Sequence, residues 1–236
     1  MNQIKSLLNN HGKAVEGPIL LTPSLNYDER GFFVESWNHI EFNSLIGDRI
    51  NFLLDGHSFS KKGVLRGMHY QIPPNQQGKL VRCIVGEIYD VIVDIRQSSP
   101  TFSSWIATKI SNENFHQLWI PPGFAHGFLT LSDSAEVLYK LTDFWSPEYE
   151  RSIRWDDRTI SIKWPKINTN PDVSAKDSMA SFFHELKEEE FFSTEKIEEL
   201  IHDHSYEYQK HSLHDPDTVD NPELFGQFLY KCHKKN

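Results

Sequence analysis

From Ile19 to Trp164 the apolar residues of this chain come in short runs, broken repeatedly by proline, glycine and small polar residues. The runs Gly31–Ser36, Val64–Gln71, Lys79–Val85, Ile88–Ile95, Trp105–Ile110, Gln117–Ile120, Gly127–Leu131 and Val137–Thr142 have the length and residue types of strands. Between them lie breakers such as Ile72-Pro73-Pro74-Asn75, Gln97-Ser98-Ser99-Pro100 and Pro121-Pro122-Gly123. Lys79–Val85 and Ile88–Ile95 flank Gly86-Glu87, a spacing that predicts a tight hairpin. Many short strands at even spacing predict an all-β, antiparallel sandwich or barrel. One helix is predicted over His39–Ile46, where Ile40, Phe42, Leu45 and Ile46 form a helical apolar stripe.

After Pro165 the texture changes. Ser181–His202 is rich in Glu and Lys, with Phe182, Leu186, Phe191, Ile197, Leu200 and Ile201 at helical spacing. That pattern predicts one or two helices lying on the barrel. Residues 203–236 hold a His-, Asp- and Lys-rich stretch and then the aromatic patch Leu224-Phe225 and Phe228-Leu229-Tyr230. A docked helix and a partner-binding tail both fit it. The expected division is a β domain over 1–180 and a helical extension of unassigned role over 181–236.

A chain of 236 residues is long enough for one substantial domain with an extension, and 13% aromatic content supplies a packed core. The formal net charge of −9 argues against extended nucleic-acid binding, which needs a basic surface to displace counterions. It leaves a phosphorylated small molecule open, since a few local Arg and Lys residues can hold one. Cys83 and Cys232 stand in no metal-ligand or redox spacing and read as thiols in a reducing compartment. Met1 to Val15 is polar and lacks the apolar centre of a signal peptide, and no run has the length of a bilayer span. A soluble, cytoplasmic protein without membrane or nucleic-acid partners is the expectation.

Four histidines, His57, His69, His116 and His126, lie in the strand region. A metal site needs three or four converging ligands, usually two on one strand at alternating positions. His69 is followed at the second position by Gln71, an amide, which disfavours a metal site, although three single histidines from separate strands could still converge. His69 shares its strand with Arg66 and Gly67. Under strict alternation Arg66 and His69 face opposite sides, and they reach one cavity if Gly67 bends the strand. Asp90 and Asp94 interrupt Ile88–Ile95 on one face, where a charge is costly unless paired, so at least one should meet a cation or histidine inside. Pro121-Pro122-Gly123 forms a rigid turn that presents His126 at a strand mouth. Read locally, Lys79 is a strand-end lysine reaching solvent and Tyr139 a core tyrosine.

In chain order, Asp28-Glu29-Arg30-Gly31-Phe32-Phe33, Val64-Leu65-Arg66-Gly67-Met68-His69, Gly78-Lys79-Leu80-Val81-Arg82, Asp90 to Arg96, Ser99-Pro100-Thr101-Phe102, Pro122-Gly123-Phe124-Ala125-His126-Gly127-Phe128 and Ser174-Ala175-Lys176-Asp177 together resemble the dTDP-4-dehydrorhamnose 3,5-epimerases. The resemblance covers roughly Pro18 to Ala180 and, as several blocks in order, is far more specific than a single motif. It implies a cupin-like jelly roll and a metal- and cofactor-free epimerase acting beside the C4 ketone of a dTDP-sugar. It further implies His69 with Asp177 as base, Lys79 as the cation at the C4 enolate and Tyr139 as the acid on the opposite face. Arg30, Glu35, Asp55, Arg66, His126, Glu150 and Lys176 would hold the substrate, Arg30 and Arg66 the pyrophosphate, and Trp145 would stack on thymine. The family usually forms homodimers with exchanged strands, and a homodimer is expected here. Two features depart from the family: the apolar Leu54 and Gly56 around Asp55, and the extension after residue 180. Competing readings are an epimerase or isomerase acting at a single carbon, a metal-dependent cupin, and a non-catalytic sugar-nucleotide binder.

Overall fold

The computed structural model describes residues 3–47, 49–167 and 170–192. They belong to a compact unit, Met1–Thr194, and the second unit, Glu195–Asn236, lies outside the described residues. The strands are β1 (Gln3–Leu8), β2 (Ala14–Thr22), β3 (Leu25–Asp28), β4 (Gly31–Val34), β5 (Leu54–Lys61), β6 (Leu65–Gln71) and β7 (Lys79–Val85). They continue with β8 (Glu87–Asp94), β9 (Trp105–Ser111), β10 (Gln117–Ile120), β11 (Phe124–Thr130), β12 (Ser134–Leu141) and β13 (Glu150–Ser152). Two short helices, α1 (His39–Ile46) and α2 (Ala175–Ser178), complete the set.

A six-stranded sheet runs in the order β1-β2-β10-β7-β12-β5 and faces a five-stranded sheet ordered β13-β6-β11-β8-β9, with β3 and β4 forming a separate hairpin. Every pairing between these strands is antiparallel. The expected jelly roll is therefore the fold, and its interior follows from period-2 alternation. Val81 and Cys83 of β7, Ile88 and Ile92 of β8, Leu118 and Ile120 of β10, Phe124 and Phe128 of β11, and Val137 of β12 bury one side chain in two between the sheets. The alternate residues Leu80 and Trp119, with Leu21, point outward, and α1 covers them with Phe42. Asn38 caps this helix by accepting from the Glu41 amide at 3.0 Å. The helix spans the predicted residues.

The predicted Gly86 hairpin is corrected. Strand β7 pairs with β10 and β12, and β8 pairs with β11 and β9, so the two lie in different sheets. Gly86 is a corner between layers. Its φ is +77°, and a Cβ there would stand 2.1 Å from the Ser134 carbonyl oxygen, so the turn needs glycine. A hairpin and a corner share the same local residues, and what separates them is which strands hold both edges of β7.

The helix expected from residue 181 onward is also corrected over its described part. Residues 181–192 form two single 3₁₀ turns, Phe183–Glu185 and Glu188–Glu190, joined by extended backbone. Ser181 bridges Ile153, Phe192 bridges Arg96, and the Phe192 amide and carbonyl bond to Ile95 and Gln97. Phe183 and Phe192 are buried, and Phe102 packs against Phe183 and Phe191. Burial of bulky aromatic groups rather than helical periodicity sets this backbone. The predicted residues beyond 192 lie outside the described part.

Candidate active site

The site begins at a break in alternation on β6. On β11, Phe128 and His126 are two residues apart, and they face Arg66 and His69, which are three apart on β6. The extra residue is a bulge at Gly67, which has φ +126° and lies so close to Gly127 that a Cβ would meet the Gly127 Cα at 2.5 Å. Directly paired residues share a sheet face, so the bulge turns Arg66 and His69 to the same side as His126 and Phe128. That side is the interior, because Phe124 and Phe128 alternate with His126 into the core.

His69 is oriented from outside its own sheet. Its Nε2 lies 2.7 Å from Oδ1 of Asp177, a buried residue of α2. A carboxylate only accepts, so Nε2 donates and the lone pair resides on Nδ1. Asp177 also accepts from the Gly67 amide at 3.2 Å, and the Ser174 hydroxyl receives the Asp177 amide at 3.0 Å. Burial works against the charged carboxyl, but the bonds from His69 and the Gly67 amide outweigh it and hold Asp177 below the usual carboxylate range.

The facing sheet contributes a cation and a phenol. Lys79 of β7 pairs with Leu141 and reaches across to donate to the His69 carbonyl at 3.2 Å. Burial pulls its ammonium from the ordinary 10.5 down to about 8, against the attraction of Asp90 and Glu150. Tyr139 of β12 shares a hydrogen bond with the Ser58 hydroxyl of β5 at 2.9 Å, and its ring centroid lies 6.5 Å from that of His126. Burial raises the phenol well above its ordinary value, so Tyr139 stays protonated through the neutral range. His126 donates from Nε2 to Asp90 Oδ2 at 2.9 Å, and burial lowers its pKa. Imidazole, ammonium and phenol thus come together from facing sheets: Lys79 meets the His69 backbone, and Tyr139 meets His126, the residue paired with His69.

A second polar group adjoins the first. Glu150, on β13, accepts from Lys176 at 2.6 Å and from the Trp145 indole at 3.0 Å. Burial disfavours its charge, but these two donors prevail and the carboxyl stays below its ordinary value. Strand β13 pairs Ser152 with His69, and Lys176 precedes Asp177 on α2, so this group is anchored to the same elements as the imidazole. Arg66 reaches the Ser60 hydroxyl and the Phe59 carbonyl, both at 3.0 Å.

The remaining expected residues stand apart from both groups. Arg30 sits at the exposed turn between β3 and β4, ion-paired with Asp28. Glu35 accepts from Asn38 at 2.8 Å beside α1. Asp55 pairs with Lys140 at 2.9 Å on the outer face of its sheet, the side opposite Tyr139. Of the other histidines, His57 bonds Glu136 at 3.0 Å. Among the described residues, no three His, Cys, Asp or Glu side chains gather as a metal site would need. Asp94 is engaged by Arg96, Ser99 and Thr101, which accounts for one of the two interior carboxylates. Sequence reasoning did not assign Ser58, whose edge strand is largely polar, and it treated Asp90 as a charge needing a partner.

The family model for dTDP-4-dehydrorhamnose 3,5-epimerase matches residues 13–185. The chain belongs to this family. It is 54% identical over 167 residues to the dTDP-4-dehydrorhamnose 3,5-epimerase of Salmonella typhimurium, which covers 71% of this chain and 91% of that protein. Among solved structures it is similar to the dTDP-6-deoxy-D-glucose-3,5-epimerase of Legionella pneumophila in complex with dTDP-4-keto-L-rhamnose. That likeness has 40% identity and a TM-score of 0.75, and covers 81% of this chain and 98% of the other. A 3'-monoepimerase from Streptomyces bikiniensis, crystallised with dTDP-quinovose, has a TM-score of 0.74 at 28% identity over 80% of this chain and 96% of its own. The family match ends at residue 185, so Leu186 to Phe192 continue the folded unit past it. No described helix is long and apolar enough to cross a membrane.

Proposed function

We propose that the protein is a dTDP-4-dehydrorhamnose 3,5-epimerase, inverting C3 and C5 of dTDP-4-dehydro-6-deoxy-D-glucose to give dTDP-4-dehydro-L-rhamnose. The observation that carries this reading is a cross-sheet placement: Lys79 reaches the His69 carbonyl, and the Tyr139 ring meets that of His126, the residue paired with His69. The C4 ketone acidifies the hydrogens on both neighbouring carbons. His69 Nδ1 takes such a proton, the C–H bond breaks, and its electron pair moves to the ketone oxygen as an enolate. Asp177 stabilises the resulting imidazolium. Lys79 supplies positive charge at the developing oxyanion, where fixed charge is most effective. Tyr139, from the opposite sheet, gives its phenolic proton to the other face of the carbon, and the enolate electrons return to form the new C–H bond. Inversion requires donor and acceptor on opposite faces, which an imidazole and a phenol from facing sheets supply.

Arg66 and Lys176 provide charge for the pyrophosphate, His126 and Glu150 polar contacts, and exposed Trp145 an aromatic face for thymine. Arg30 and Glu35 stand apart within one chain. In a homodimer that exchanges the β3–β4 hairpin, whose Tyr27, Phe32 and Phe33 are exposed, they would serve the partner's site. A cytoplasmic location suits such an enzyme.

The test is proton exchange in D₂O with the keto-sugar nucleotide and no added metal. Deuterium should enter at both C3 and C5. His69→Ala should lose exchange by about 100- to 10,000-fold, the usual range for a general base. Tyr139→Phe should retain exchange at one carbon while losing the inverted product. Exchange at a single carbon in the wild type would replace this reading by a monoepimerase, and none at all would end it.

A further inference from the structure

Asp90 lies at the centre of β8, is 0% exposed, and faces the interior between the two sheets. Its Oδ2 accepts from His126 at 2.9 Å. Its Oδ1 is buried too, with no hydrogen-bond partner among the described residues. A buried carboxylate normally has its acceptor sites filled, so one left open in a well-packed core calls for a compensating charge. Lys79 lies on the route that leads there: it reaches the carbonyl of His69, which pairs with the His126 that Asp90 holds. Its own direct partner is a neutral carbonyl, that of His69, which leaves the ammonium without an ion pair at hydrogen-bond distance among the described residues.

We propose that Asp90 is the positioning residue of this site, its carboxylate fixing the His126 ring through Oδ2 and its open Oδ1 facing the Lys79 ammonium where the substrate oxygen binds. The proposal rests on the epimerase reading for its catalytic meaning, but not for its electrostatics.

Several titratable groups share the space. Arg66 and His69 come from β6, Lys79 and Cys83 from β7, His126 from β11, Tyr139 from β12, Glu150 from β13 and Asp177 from α2. Asp177 is committed to His69, and Glu150 to Lys176 and Trp145. Asp90 is therefore the carboxylate of this group with an oxygen left unpartnered among the described residues. Its attraction is the largest influence opposing the burial that pulls Lys79 down to about 8, with Glu150 second. Burial is what keeps the Tyr139 phenol protonated, and the same charge works in the same direction. His126 bonded to Asp90 through Nε2–H is left with its Nδ1 lone pair for a donor on the ligand.

The experiment measures Lys79 directly and then activity. Competitive acetylation of the full-length protein with acetic anhydride across a pH series, read by mass spectrometry of the Lys79 peptide, gives the midpoint at which the amine loses its proton. In Asp90→Asn, matched to wild type by circular dichroism, the midpoint should fall by about one pH unit or more, the usual effect of removing an opposite charge nearby. The alkaline limb of kcat should move down with it, so the loss is far larger at pH 8 than at pH 6. Asp90→Glu, which keeps the charge, should keep the midpoint. Asp90→Ser, which makes room for water, repeats the test if the Asn variant does not fold. An unchanged Lys79 midpoint in the charge-free variant, or a loss equal at all pH values, overturns the proposal. If wild type turns over no keto-sugar, the epimerase reading fails while the acetylation midpoints still decide the role of Asp90.

Discussion

At the scale of single residues, the chemistry depends on Lys79 carrying its proton in a place that resists it. Burial lowers its pKa from the ordinary 10.5 to about 8. For a base held below its ordinary value, the native state binds fewer protons than the unfolded chain between those two limits. The penalty is thus fully present below pH 8 and is relieved as pH rises toward 10.5. Activity runs the other way, because the ammonium must be charged to meet an enolate. The wild-type kcat/KM should fall above about pH 8 while the Lys79 contribution to stability improves, and parallel rate and thermal-unfolding series in the same buffers would check both. Tyr139 does not interfere in this window, since burial raises its phenol beyond the range scanned. From the sequence alone, Lys79 reads as a solvent-reaching strand end. Its inward course depends on which sheet faces β7, a property of the assembled layers.

At the scale of elements, the decisive one is the bulged strand β6. The local sequence Arg66-Gly67-Met68-His69 already states the problem, because two functional side chains three apart cannot share a face of a regular strand. The glycine signals that something gives there, and the positive φ of Gly67 against Gly127 is the physical answer. Gly67→Ala should cost several kcal/mol of stability, combining a disfavoured φ with a Cβ 2.5 Å from backbone. It should also separate Arg66 from His69, so chemical denaturation and residual exchange activity would both register it. Other elements were less legible. The apolar strands of the interior and α1 announce themselves by periodicity, whereas β1 is half polar and the edge strand β5 largely so, and both pass for loop. The corner at Gly86 looks like a hairpin because the choice is made by distant pairing. Asp177 lies 108 residues from His69, and no local pattern joins them; the family resemblance did.

At the scale of the whole molecule, the two sheets are closed around one core, but β5 is the last strand of its sheet and the β3–β4 hairpin presents Tyr27, Phe32 and Phe33 to solvent. Open strand edges and clustered exposed aromatics are features that association covers. Multi-angle light scattering of the full chain should give twice the mass of 27.5 kDa. A mass of one chain would remove the route by which Arg30 and Glu35 reach a site.

The segment 181–192 acts as a clasp across the five-stranded sheet, from just past β13 to just past β8. One end is fastened at Ile153, next to the residue that pairs with His69, and the other at Ile95 to Gln97, where Arg96 packs against Gly123 of the turn leading to His126. Phe183 and Phe192 are buried along it, and its first residue, Ser181, follows α2 by three residues. The chain that carries Asp177 is thus moored onto the sheet by two phenylalanines with no part in the chemistry, one of them past the limit of the family match.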